Sequence, residues 1–152
     1  MNHKKRLYTI TTIVFILDQL IKIILTKTIS EKGIIKIIPN FFSLYYIKNT
    51  GAAFSILENK QVLLIAISAI IIVIIHRIVE KENLNNKTTI YYGMLIGGIF
   101  GNLLDRITRN AVIDYLHFTF FNYSFPVFNF ADSMIVIGIL LLVIEEVIKK
   151  EG

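Results

Sequence analysis

The chain's clearest chemical signal lies in its aspartates. Asp105, Asp114 and Asp132 fall within Gly97–Asp132, which reads GGIFGNLLDRITR, then AVIDYLHF, then FPVFNFAD. Asp105 ends one apolar segment, Asp114 lies in the connection after it, and Asp132 opens the next. Asn102 and Asn129 each stand three residues before an aspartate. An ionisable group near a bilayer is costly unless it is paired or used. Two carboxylates held close together resist double ionisation, so one keeps a proton while the other acts as a base. Such a pair can take a proton from water and give one to a leaving amine, which is peptide hydrolysis without a metal or a covalent intermediate. The helix N-terminus at Asp132 favours the anion there, and Asp114, on a loop, could adjust its position. The same residue types also suit a cation pathway or a proton relay.

These residues need apolar elements to hold them. The 152 residues are 55% hydrophobic, with a mean hydropathy of +0.66, which points to a membrane protein. With no cysteine there is no disulfide, thiolate metal site or cysteine nucleophile. The net charge of +5 comes from basic residues scattered singly between apolar runs, which argues against nucleic acid and fits anionic lipid. His117 is the only histidine near the aspartates, so a metal site is a weak reading, and His117 is read as interfacial.

Four runs are close to the ~20 residues a spanning helix needs. They cover residues of about 7–25, 61–79, 89–106 and 127–148. No small-residue cleavage site follows the first, which is read as a retained helix. Asp18 and Lys22 form an i,i+4 pair in the favourable order. Gly97, Gly98 and Gly101 on the third run let helices approach closely. Residues 27–59 and 107–126 lie outside the bilayer. In the first of these, IIKII and FFSLYYIK suggest strands separated by Pro39 and Asn40. Phe41, Phe42, Tyr45, Tyr46 and Phe54 suit headgroup depth, as a lipid anchor, or a small core, and Asn49–Gly51 suits a turn.

Four spans place every aspartate on one face, together with Lys22, Asn49, Asn102, Arg106 and Asn129. The opposite face carries both termini and no aspartate. Lysine and arginine are denser in its short segments, so both termini are expected inside. Clustering on one face speaks against a pathway through the bilayer.

DQLIK (Asp18–Lys22), KNTGAAF (Lys48–Phe54), GGIFGNLLDR (Gly97–Arg106), VIDYL (Val112–Leu116) and FNFADS (Phe128–Ser133) together resemble lipoprotein signal peptidase, bacterial signal peptidase II. The five motifs occur in order over nearly the whole chain, with no departure at a motif position. The resemblance implies a single membrane-embedded domain: a polytopic all-α protein of four transmembrane helices with a small extracytoplasmic β-cradle at about 28–57 and a short surface helix in the third loop. It implies a monomeric aspartyl endopeptidase of the bacterial inner membrane, working at the outer leaflet without cofactor or metal and inhibited by globomycin. Its substrates would be diacylglyceryl-modified prolipoproteins, cut on the N-terminal side of the lipidated cysteine. It maps the catalytic dyad onto Asp114 and Asp132. Asn49, Gly51, Asn102, Asp105, Arg106 and Asn129 would support or line the site, and Asp18 and Lys22 would serve structural integrity. The neighbouring Arg106 argues independently that Asp105 is a fixed anion rather than a proton-sharing acid, leaving Asp114 to partner Asp132.

Overall fold

The computed structural model describes residues 2–51, 57–121 and 123–151. Four helices carry a small antiparallel sheet at one end. In chain order the elements are α1 (His3–Thr28), β1 (Ile34–Ile38), β2 (Phe42–Asn49), α2 (Gln61–Lys81), α3 (Asn86–Arg109), β3 (Val112–Phe120), β4 (Tyr123–Ser124) and α4 (Phe130–Glu151). Phe54, expected at headgroup depth, and the AAF end of its motif lie outside the described residues.

Local chemistry sets the element ends. Asn2 caps α1 by accepting from Lys4 N–H. Asn85 and Thr88 form a capping box at the start of α3. Asn110, at φ 53°, takes the left-handed conformation that ends α3, and β3 begins two residues later. IIKII and FSLYYIKN are the paired strands β1 and β2, turned through Asn40 at φ 58°.

The region between α3 and α4 differs from the expectation. Among the described residues it holds no helix. The sheet runs β1-β2-β3-β4, so Val112–Phe120 extends it beyond the residues assigned to a cradle. VIDYLHFTF is rich in β-branched and aromatic residues and finds a ready partner in β2, and sheet pairing satisfies its backbone better than a short isolated helix would. Helix α3 also runs to Arg109, and α4 begins at Phe130 rather than 127.

α1 and α2 are each long and apolar enough to cross a membrane. α2 buries only Leu64, Ile75 and Val79, and its other aliphatic residues largely face outward, as in a helix surrounded by lipid. α3 is central, packing against α1, α2 and α4. Glycines make this possible. A Cβ on Gly97 would strike Val14 and the Thr11 carbonyl on α1, one on Gly98 the Ala131 carbonyl on α4, and one on Gly101 the Asp18 carboxylate. One core gathers Leu7, Ile75, Val79, Tyr92, Leu95 and Ile99 between the helices. Another gathers Leu25, Ile29, Tyr46, Ile113 and Tyr115 beneath the sheet. Tyr46 therefore belongs to a small core, while Phe41 stays exposed. His117 is stapled across the sheet between Ser43 and Ser124 hydroxyls, at 3.1 and 2.7 Å.

Candidate active site

The site is assembled where α1, α3 and α4 meet the sheet. Asp114 lies on β3, 1% exposed, and is held by a strand rather than by a loose loop. β3 is fixed on one side by β2, where Asp114 pairs with Ile47. On the other side, Tyr115 and Leu116 N–H donate to the Phe128 carbonyl, just before α4. Both Asp114 oxygens accept side-chain amides: Oδ2 from Asn49 at 2.8 Å and Oδ1 from Asn129 at 2.6 Å.

Asp132 reaches the same place from α4. Asn129 precedes the helix, and its Oδ1 accepts Asp132 N–H at 2.9 Å. Asp132 Oδ2 accepts Asn129 N–H at 3.2 Å. This reciprocal box is what an Asn-x-x-Asp sequence makes at a helix start. Asp132 Oδ1 accepts from Asn102 at 2.7 Å. Asn129 also donates to Asn102 Oδ1 at 3.2 Å, so one amide touches Asp114 and the residue that holds Asp132. Asp114, Asp132, Asn49, Asn102 and Arg106 line one cavity of about 810 Å³, walled otherwise largely by Val112, Val127, Phe128, Ile135 and Val136. Burial, followed by the charge of Asp132, pushes the Asp114 carboxyl up to about 7, against the opposing effect of its asparagine hydrogen bonds.

Beneath the cavity lies a sealed ionic cluster. Lys22 Nζ meets Asp18 Oδ2 at 2.9 Å, Asp105 Oδ2 at 2.8 Å and Asn102 Oδ1 at 3.1 Å, and all three charged side chains are fully buried. Asp18 Oδ1 accepts Ala131 N–H at 3.2 Å and so reaches the first turn of α4. Asp105 Oδ2 also accepts Ile113 N–H at 3.3 Å, one residue before Asp114. The second Asn-x-x-Asp, Asn102 to Asp105, is thus not a cap. It places two side chains on one helix face around Lys22.

Arg106 does not hold Asp105. Its side chain points to the Gly51 and Asn102 carbonyls, and Asp105 pairs with Arg109 instead, one turn on. Residues three or four apart share a helix face, whereas adjacent ones diverge. The i,i+4 spacing of Asp105 and Arg109 signals this pair, whereas nothing in the sequence marks Gln19 beyond its place beside Asp18. Gln19 bridges Asp18, Asp105 and the Gly101 carbonyl, and accepts from Arg109. Gly51 is buried, and its N–H donates to Asn49 Oδ1, so the expected turn follows directly on the end of β2. Among the described residues no cluster of three or more histidine, aspartate or glutamate side chains could hold a metal ion.

The fold is that of known bacterial membrane enzymes. One, solved by the in meso method at 2.3 Å, superposes with a TM-score of 0.87 at 31% identity, covering 93% of this chain and 87% of that one. A second, solved at 1.9 Å, gives 0.81 at 32% identity, covering 90% and 89%. The chain belongs to the signal peptidase (SPase) II family, whose model matches residues 10–148. It is 39% identical over 137 residues to the lipoprotein signal peptidase of Halothermothrix orenii, covering 90% of this chain and 92% of that protein. It is thus a membrane protein of a protease family that processes lipoproteins.

Proposed function

We propose that the chain is a membrane aspartyl endopeptidase that removes signal peptides from diacylglyceryl-modified prolipoproteins, cutting on the N-terminal side of the lipidated cysteine. One observation carries this reading: Asp114 and Asp132, from different elements, line one cavity and are linked through Asn129 and Asn102. Asp132, at a helix N-terminus with both oxygens accepting hydrogen bonds, is the base that takes a proton from water. Asp114, at about 7, carries the shared proton and protonates the leaving amine.

Charge supports one proton in the pair. Lys22 and Arg109 balance Asp18 and Asp105. Arg106 then faces Asp114 and Asp132, and a single proton makes the set neutral. A buried region tolerates a neutral set far better than one with an unpaired charge. Asn49, Gly51, Asn102, Asp105, Arg106 and Asn129 support the dyad, while Asp18, Lys22, Gly98 and Gly101 hold the helices that carry it. All four helices span the inner membrane as one domain, with both termini cytoplasmic and the cavity at the outer leaflet.

The test is cleavage of a diacylglyceryl-modified prolipoprotein by purified protein, with chelator and with globomycin. Cleavage that resists chelator, stops with globomycin and vanishes in Asp114→Asn and Asp132→Asn is the expected result. Full activity in either variant removes that residue from the dyad.

A further inference from the structure

The peptide unit joining Thr50 to Gly51 is held at both polar ends. Its carbonyl oxygen, on Thr50, accepts from the Gln61 side-chain amide at 2.5 Å and from Asn59 N–H at 3.1 Å. Its N–H, on Gly51, donates to Asn49 Oδ1 at 2.9 Å. An asparagine amide has one accepting end and one donating end. With Oδ1 engaged by Gly51, Nδ2 is directed at Asp114 Oδ2, 2.8 Å away. Turning that amide over would set its oxygen against a carboxylate and its NH2 against an N–H. The bond to Asp114 therefore depends on where the Thr50–Gly51 peptide plane lies. Gln61, half-buried and the first residue of α2, is the side chain that holds that plane.

We infer that Gln61 is a positioning residue for the cleavage reaction: through the Thr50–Gly51 peptide it orients Asn49, and through Asn49 the Asp114 carboxyl. The inference rests on the assignment of Asp114 to the dyad. Gln61 does not line the cavity, so it acts only through others. It also gives α2 a part in the site. α1 contributes Lys22, α3 Asn102 and α4 Asp132, whereas among the described residues α2 reaches the dyad through the Gln61 amide.

A purely structural role for Gln61, tying the loop to α2, would lower the amount of folded enzyme without moving the titration of Asp114. The charged groups facing Asp114 are Asp132 from α4, Lys22 from α1 and Arg106 from α3, and Lys48 from β2 and Glu58, just before α2, line the same cavity. Asp132, Lys22, Arg106 and Lys48 lie on other elements, and Glu58→Gln removes the one charge next to Gln61 in this set, so a titration displaced by Gln61→Met in that background traces to the Asn49 bond. A hydrogen bond donated to a carboxylate favours its ionised form, and losing it moves the titration to higher pH.

The experiment uses the full chain in detergent or lipid, with a diacylglyceryl-modified prolipoprotein as substrate. For Gln61→Met, kcat should fall about tenfold with KM within about twofold, as for loss of one hydrogen bond to a charged group. The alkaline limb of the kcat profile should rise by about one pH unit, a tenfold change in the acid constant. The double variant Gln61→Met/Asn49→Ala should match Asn49→Ala alone. An unmoved limb, wild-type kcat, or fully additive effects in the double variant each overturn the inference. Should Gln61→Met fail to accumulate, Gln61→Glu is read instead. Protonated, it still donates to the Thr50 carbonyl; ionised, it repels it. Its activity relative to wild type should then fall as pH rises, and a constant ratio overturns the inference. Asp114→Asn distinguishes the two levels, since wild-type cleavage by that variant defeats the dyad itself.

Discussion

Asn129 and Asp132 cap one another, each side chain accepting the other's backbone N–H, at 2.9 and 3.2 Å. The proposed base, Asp132, is therefore set by the same bonds that start α4. Asn129 has a second duty, because its Nδ2 donates to Asp114. The two duties separate in Asn129→Ser. Serine still caps, so stability should stay within about 1 kcal/mol of wild type. It cannot donate to Asp114 in the same way, so cleavage should fall by about tenfold or more, as for a hydrogen bond to a charged group. Thermal melts beside cleavage rates check this; parallel losses would show that Asn129 serves the helix alone.

The titration of Asp114 fixes the sign of two pH effects. In the proposed mechanism the proton on Asp114 goes to the leaving amine, so kcat should decline as pH rises through about 7. Stability follows the same group. Its folded value lies above the ordinary carboxylate value of 3.8, so between these the folded state binds more protons than the unfolded one. The contribution of Asp114 to stability therefore falls as pH rises from about 4 to about 7 and levels off above, by roughly 4 kcal/mol. Asp114→Asn should flatten that slope. Unfolding of both proteins in one detergent across this window decides it.

The ionic cluster invites a compensation experiment. Lys22→Met leaves Asp18 and Asp105 buried beside each other without their shared cation. Breaking a buried pair from one side costs about 3–5 kcal/mol. Adding Asp105→Asn should recover part of that loss while leaving the Ile113 N–H an acceptor. Folded yield and melting midpoints measure both, and a double variant worse than Lys22→Met would contradict the cluster's charge balance.

Much of this arrangement was legible in residue order. Asp18 and Lys22 pair because they stand one turn apart, and IIKII and FFSLYYIK form strands as their β-branched and aromatic content suggests. The region after α3 departs from the expected loop and short helix for a physical reason. A strand's partner is chosen by tertiary contact, and nothing local in VIDYLHFTF names β2 as its neighbour. That pairing converts Asp114 from an adjustable loop residue into a fixed one. Adjacency misled at Arg106 too, since neighbours on a helix point apart and Arg109 takes the contact. Gln61 was invisible because its target is a backbone carbonyl, which every residue has.

Gly98 ties helix packing to the site. A Cβ there would meet the Ala131 carbonyl, one residue before Asp132, and also Ile135 on the next turn. The obstacle is backbone, so α4 must move away rather than a side chain turn. Overpacking of this kind costs about 1–3 kcal/mol. Gly98→Ala should therefore lower the melting midpoint and, by displacing the start of α4, weaken the Asn102–Asp132 bond. Cleavage should fall further than at Gly97→Ala, whose new methyl meets α1 at Val14 and Thr11, away from the dyad. Equal cleavage by the two variants at equal stability would show that α4 carries no strain from Gly98 to Asp132.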